Sequence, residues 1–293
     1  MFFVVFVYFW RSFVGFVKKS EYICGVFITF FCFYMAKIIA ILNFKGGVGK
    51  TTTAINLGAA LRLLKKKVLL IDLDFQCNTT YTLNFEVGDG ETVYDALVAR
   101  DGGVELPIYE YRDGFDFVPA SSQLETVGEQ LVNRLRKEEI LKRVVEPYGG
   151  LYDYVLIDCP PNGGILNINA MSASDSLLVP IDCEVYSLQG MKMITDKYRE
   201  VKEFINPGLE IEGYLLTRYD GRLGLHKMAA AQMHQKYPGK VFNARIRRNT
   251  DLSKTPAEHL TIFEYNPQAI GAEDYMQLAR EITGIKRKST GKR

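Results

Sequence analysis

The chain has 293 residues, 47% of them hydrophobic and 24% charged, which is the make-up of an ordinary soluble globular protein able to bury a full core as one large or two small domains. With 36 Lys and Arg against 34 Asp and Glu the net charge is +2, which excludes nucleic-acid binding through bulk charge and requires a local patch for any such role. Five cysteines occur with no C-x-x-C pair, a spacing that suggests neither a zinc site nor a disulfide framework.

Residues 1–34 differ from everything after them, holding 14 of the 36 aromatic residues and the one tryptophan. Arg11, Lys18, Lys19 and Glu21 interrupt the apolar runs, and the longest run, Tyr22 to Ala36, is shorter than the roughly 20 residues of a membrane span. No charged stretch leads it and no A-x-A site follows, so a secretory signal fits poorly. The expectation is that Met35 is the natural start and that 1–34 is translated upstream sequence; a membrane-anchoring hairpin is the alternative.

From Lys37 apolar strands alternate with helical patterns. KIIAIL (37–42) reads as a strand and runs into NFKGGVGKTTTAINL (43–57). Gly46, Gly47 and Gly49 let backbone N–H groups approach phosphate oxygens, and a helix over 50–65 brings its positive N-terminal end. Lys50 can reach the β- and γ-phosphates and the Thr51 hydroxyl can ligate Mg²⁺, so strand, loop and helix together point to nucleotide binding. Lys45, before the glycines, is by itself either functional or a solvated loop lysine.

Further strands are expected at 68–72, 154–158, 176–181 and 213–217, with helices at about 122–145, 186–205, 223–237 and 271–283. Continuous apolar strands between helices predict an α/β fold with a twisted, mostly parallel sheet covered on both faces, spanning 35–284 and followed by a basic tail over 285–293. LLIDLDFQCN (69–78) ends a strand at Asp72 and Asp74, and YDYVLIDCPP (152–161) ends one at Asp158. Ligands bind at such carboxyl edges, so Asp158 is a candidate to hold Mg²⁺ through water, against a turn-capping aspartate. Cys77 and Cys159 flank these carboxylates, either as free thiols that imply a reducing cytosol or as small buried hydrophobes.

The strict phosphate-loop pattern asks for glycine at position 44, where this chain has Phe44. The run KGGVGKTTT instead resembles the deviant loop of the ParA/MinD class of P-loop ATPases, and from Lys37 to Ile282 the chain is similar to Soj-type chromosome and plasmid partition ATPases. The resemblance implies a P-loop NTPase fold and a Mg²⁺-dependent ATPase whose homodimer sandwiches ATP at its interface. Lys45 would reach across to the phosphates held by the other subunit, so that hydrolysis waits on dimerisation. The nucleotide site implied is Lys45, Gly46, Gly47, Val48, Gly49, Lys50, Thr51 and Thr52, with Asn249 on adenine. Lys45, Lys50 and Asp74 would be catalytic, Asp74 orienting the attacking water, while Thr51 and Asp158 would hold the metal. Asp72, Asp74 and Gln76 match the family's D-x-D-P-Q, with Phe75 in place of proline. Pro161-Asn162-Gly163-Gly164 departs from the usual P-S-L-G, and Arg247 stands where the family has proline in I-P-R-N. Asn169 also matches a family position, or simply caps a helix start.

The resemblance further implies nonspecific DNA binding by Arg218, Arg222, Arg245, Arg247 and Arg248, supported by the tail residues Lys286, Arg287, Lys288, Lys292 and Arg293. A ParB-like centromere-binding protein would stimulate hydrolysis, and the protein would be cytoplasmic and nucleoid-associated. GIKRKSTGKR lacks the apolar face of a membrane-binding helix, so membrane cycling is not expected. Three alternatives stand: a nucleotide-switched regulator acting on a protein target, a MinD-like positioning ATPase anchored by 1–34, and a small-molecule kinase-like enzyme, against which Lys45 argues.

Overall fold

The computed structural model describes residues 35–86, 88, 90–99, 105–183 and 187–286. The expectations for residues 1–34 and for the tail beyond Lys286 lie outside the described residues. The strands are β1 (Lys37–Ile41), β2 (Val68–Asp72), β3 (Tyr109–Arg112), β4 (Phe115–Val118), β5 (Tyr154–Asp158), β6 (Ser176–Asp182), β7 (Glu210–Tyr219) and β8 (Val241–Arg247). The helices are α1 (Lys50–Leu63), α2 (Asn78–Thr82), α3 (Val93–Val98), α4 (Val127–Leu131), α5 (Ile140–Val145), α6 (Ile165–Ala173), α7 (Ser187–Phe204), α8 (Gly224–Lys236), α9 (Thr250–Lys254), α10 (Ile262–Tyr265) and α11 (Ile270–Thr283).

One eight-stranded sheet runs in the order β3-β4-β2-β5-β1-β6-β7-β8, and every pairing is parallel except β3 with β4. The period of two along each strand divides its side chains between two cores. Ile39, Ile41, Leu70 and Leu156 face α1 and α11, whereas Ala40, Ile71, Val155 and Ile157 face α6 and α7. With both faces covered the central strands are apolar up to the aspartates that end them, as in VLLID and YVLID. Helix α1 lies so close to the sheet that a Cβ added at Gly58 would stand 2.6 Å from the Phe115 ring.

The edge strand β8 is protected by α11: Glu281 accepts the Asn243 and Ala244 N–H groups, and Asp274 accepts that of Arg247. The single helix expected at 122–145 is instead broken into 3₁₀ turns at Ser122–Thr126 and Lys137–Glu139 with the short α4 and α5 between and after them. Arg136 adopts a left-handed φ of 52°, which ends any continuous helix there. The interruption leaves Val132 and Leu135 exposed, off any buried stripe.

Candidate active site

Strands β1, β2 and β5 are neighbours, and their register sets Ile41 beside Asp158 and Asp158 beside Asp72. The end of β1, where the glycine loop begins, and the two carboxylates that end β2 and β5 therefore meet at one edge. The loop turns through left-handed Gly47 (φ 70°) and Gly49 (φ 89°), conformations that favour glycine. Gly49 also serves as the N-cap of α1 with no side-chain cap. Three bonds brace the loop: Asn43 Oδ1 accepts the Lys45 N–H (2.9 Å), Lys50 Nζ donates to the Lys45 carbonyl (3.3 Å), and Thr217 Oγ1 at the end of β7 donates to the Val48 carbonyl (2.9 Å).

Behind the loop Lys50 is buried among acids. Burial pulls its ammonium below the usual lysine range, opposed first by the charge of Asp158. Asp158 is fully buried; its Oδ2 accepts the hydroxyls of Thr51 and Thr79, each at 2.8 Å, while its Oδ1 has no partner. Asp72 is equally buried and accepts the Asp74 N–H on one oxygen and the Thr80 N–H and hydroxyl on the other. Asp74 is buried and accepts the Gln76 N–H (3.0 Å). Burial, then the neighbouring Asp158, raises Asp72 to about 8, and burial raises Asp158 to about 6 against its two threonine bonds.

Asp74 and Asp158 beside Lys50, with Asp72 next to Asp158, put three buried carboxyl groups against one lysine, a crowding of acid that a cation relieves. Among the described residues no group of three or more His, Cys, Asp and Glu forms a metal cage. Mg²⁺ suits such a place, because it takes one or two protein oxygens and completes its shell with water and phosphate. The partnerless Asp158 Oδ1 and the Thr51 hydroxyl are the oxygens that would hold it.

A family model described as an AAA domain matches residues 36–211. The sporulation initiation inhibitor protein Soj of Bacillus subtilis is 42% identical over 249 residues, 85% of this chain and 98% of its own length. The chromosome partitioning protein ParA of Caulobacter vibrioides (strain NA1000) is 37% identical over 254 residues, 86% of this chain and 95% of its own. The chain belongs to the ParA/Soj family. Among solved structures, cobyrinic acid a,c-diamide synthase from Mycobacterium smegmatis with bound ATP analog and magnesium is 29% identical, with a TM-score of 0.73 over 85% of this chain and 94% of that one. The architecture of this family member is the α/β P-loop NTPase fold.

The residues expected for the family's site fall into two groups. The loop residues 45–52, Asp72, Asp74 and Asp158 come together as described. Asn249 caps α9, its Oδ1 accepting the Asp251 N–H (2.7 Å). Asn169 is not at a helix start but within α6, where its Oδ1 accepts the Leu141 N–H at the beginning of α5 and its amide donates to Lys137 and Ile165 carbonyls. Burial pushes Cys77 up to about 11 and Cys159 well above the ordinary thiol range, so both stay neutral thiols.

The candidate DNA arginines lie on the same sheet edge, at the ends of β7 and β8, in different circumstances. Arg218 (φ 49°) pairs with buried Asp182, and Arg245 lies over the Tyr219 ring at 4.7 Å. Arg247 is clamped by Asp274 and Glu273. Arg222 is 89% exposed and folds onto Asp220. Among the described residues no helix is long and apolar enough to cross a membrane.

Asn43, Thr79 and Thr217 have structural parts in the site that sequence reasoning passed over. Each had a signal: Thr217 ends a strand at the ligand-binding edge, Asn43 joins strand to loop, and Thr79 follows the acidic strand end by one short turn.

Proposed function

We propose that this ParA/Soj-family member is a Mg²⁺-dependent ATPase whose ATP-bound homodimer binds duplex DNA without sequence preference and drives chromosome or plasmid partition. The observation that carries this reading is the buried array of Lys50, Asp74 and Asp158 under a glycine loop, with Asp158 Oδ1 left without a protein partner. It is supported by relatives named for partitioning and by a structural relative holding an ATP analog and magnesium.

In this reading the loop N–H groups and the α1 N-terminus bind phosphate, and Lys50 neutralises the β- and γ-phosphate oxygens. Bound Mg²⁺ would supply charge neutralisation at the transferring phosphoryl group. Thr51 and Asp158 hold that ion, Asp74 orients the attacking water, and Lys45 from the partner subunit completes the positive surroundings. Asn249 lies on the adenine side. Hydrolysis depends on dimerisation because part of the site arrives with the second subunit.

Arg218, Arg222, Arg245, Arg247 and Arg248 form the DNA-facing edge, with Arg222 the most exposed of those described above. A centromere-binding partner of the ParB type stimulates hydrolysis and releases the DNA, in the cytoplasm and on the nucleoid. The test is binding of the full chain to random duplex DNA with ATP and Mg²⁺ and with ADP, across a salt series, beside Lys45→Ala. Binding only with ATP, falling steeply with salt and lost in the variant, is expected. Equal or absent binding in both nucleotide states would leave an ATPase with no DNA track.

A further inference from the structure

We propose that Asn43 is a positioning residue for Lys45, fixing the backbone from which that lysine departs to the body of the sheet. The inference rests on the reading that Lys45 acts across a dimer. Asn43 is buried between β1 and the glycine loop and uses each end of its amide once. Its Nδ2 donates to the Pro180 carbonyl of β6 (2.7 Å), and its Oδ1 accepts the Lys45 N–H (2.9 Å). Next to it, Phe44 is half-buried against the core that contains Ala40 and Leu42.

Upstream of Lys45 the chain is therefore anchored twice. The next two residues have no such support: Gly46 and Gly47 are exposed, an added Cβ at either would touch nothing within 4 Å, and Gly47 is left-handed, and the loop is held again at Val48, whose carbonyl accepts the Thr217 hydroxyl. Lys45 is the last residue tied to the sheet before the loop's exposed glycines. A long lysine that must meet a phosphoryl group on another subunit magnifies any tilt at its root, and a misplacement near 1 Å can cost about 100-fold in rate. Asparagine is suited to this place because it joins a donor to an acceptor in a short, planar unit. Serine could still close the local turn to the Lys45 N–H but could not reach Pro180.

The experiment compares full-length wild type with Asn43→Ala, Asn43→Ser, Lys45→Ala and the double variant Asn43→Ala/Lys45→Ala. It reads kcat with random duplex DNA, affinity for a fluorescent ATP analogue, dimer formation with a non-hydrolysable ATP analogue by light scattering, and the urea midpoint. For Asn43→Ala the expected result is a fall of about tenfold or more in kcat and in dimer affinity, with nucleotide affinity within about twofold of wild type. The double variant is expected to match Lys45→Ala, because a residue that acts through Lys45 has nothing left to act on. Full additivity in the double variant, or nucleotide affinity falling in step with kcat, would make Asn43 ordinary loop scaffolding and overturn the proposal. Should Asn43→Ala fail to fold, Asn43→Ser tests the anchor to Pro180 alone: kcat and dimer affinity should fall with nucleotide affinity kept, and wild-type values of both would overturn the proposal. A Lys45→Ala variant that dimerises and hydrolyses like wild type would overturn the underlying reading and the proposal with it, an outcome distinct from the failure of Asn43 alone.

Discussion

Replacing Thr79 by valine keeps the shape of a fully buried side chain and removes one hydroxyl donor. That donor lies 2.8 Å from Asp158 Oδ2, on a carboxyl with one other hydroxyl partner and a second oxygen with none. A hydrogen bond to an ionised group contributes about 1.5–3 kcal/mol, and one to a neutral group about 1 kcal/mol. Which figure applies depends on pH. Burial has already raised Asp158 from 3.8 to about 6, and the threonine bonds pull it back down. Losing Thr79 raises it further, so the variant's native state keeps its proton to higher pH and loses stability over a longer interval as pH rises. Urea unfolding in EDTA at pH 5 and pH 8 measures this. The variant should be less stable by about 1 kcal/mol at the lower pH and by about 1.5–3 kcal/mol at the higher one. A difference that is absent, or that stays constant between the two, would refute the argument that Thr79 stabilises an ionised Asp158.

Four more outcomes follow from the structure. Arg247→Ala should lower thermal stability by about 1–3 kcal/mol, because it strips the guanidinium from Asp274, whose side chain is only 4% exposed, while its own 43% exposure limits the loss. Arg222→Ala should leave the melting temperature unchanged and reduce the salt slope of DNA binding by about one; a lower melting temperature in Arg222→Ala with none in Arg247→Ala would contradict the assignment of Arg247 as a clamp and Arg222 as a surface charge. Gly58→Ala should destabilise by about 1–2 kcal/mol despite better helix propensity, since its Cβ meets a buried Phe115 ring at 2.6 Å; stabilisation in urea would show that the helix can shift to make room. In metal-free buffer the melting temperature should fall from pH 5 to pH 8, because native Asp72 (about 8) and Asp158 (about 6) hold protons that the unfolded chain has released, and Mg²⁺ with ATP should flatten the trend; a rise with pH in the metal-free protein would refute it.

The parts legible in the sequence are those where one physical demand dominates. A strand buried on both faces must be apolar at every position, so β1, β2, β5 and β6 announced themselves, and the glycine loop did so because left-handed turns beside a helix start leave few alternatives. β3 and β4 were missed although YEYR and FDFV flank Asp113-Gly114, a turn signal with Gly114 at φ 78°. Their short runs have only one fully apolar face, so the pattern is weaker than in the central strands. β8 was missed for a related reason: VFNARIR is an edge strand whose polar residues answer to α11, not to another strand. The break near Arg136 carries neither proline nor glycine, and the apolar spacing on each side still fits a helix.

The same distinction separates site residues that were read from those that were not. Lys50, Asp74 and Asp158 were visible because their types are chemically demanding wherever they fall on a sheet edge. Thr79, Thr217 and Asn43 are common residues whose importance lies in what they touch: a carboxylate oxygen, a loop carbonyl, and two backbone groups from separate segments. Each joins positions far apart in the chain, as Thr217 does with Val48 and Asn43 with Pro180, and no local pattern encodes such a pairing. What the fold adds to the motif is therefore its stiffness. The loop lysines belong to recognisable sequence, but the backbone that carries them is held by threonine and asparagine contacts that only the assembled sheet creates.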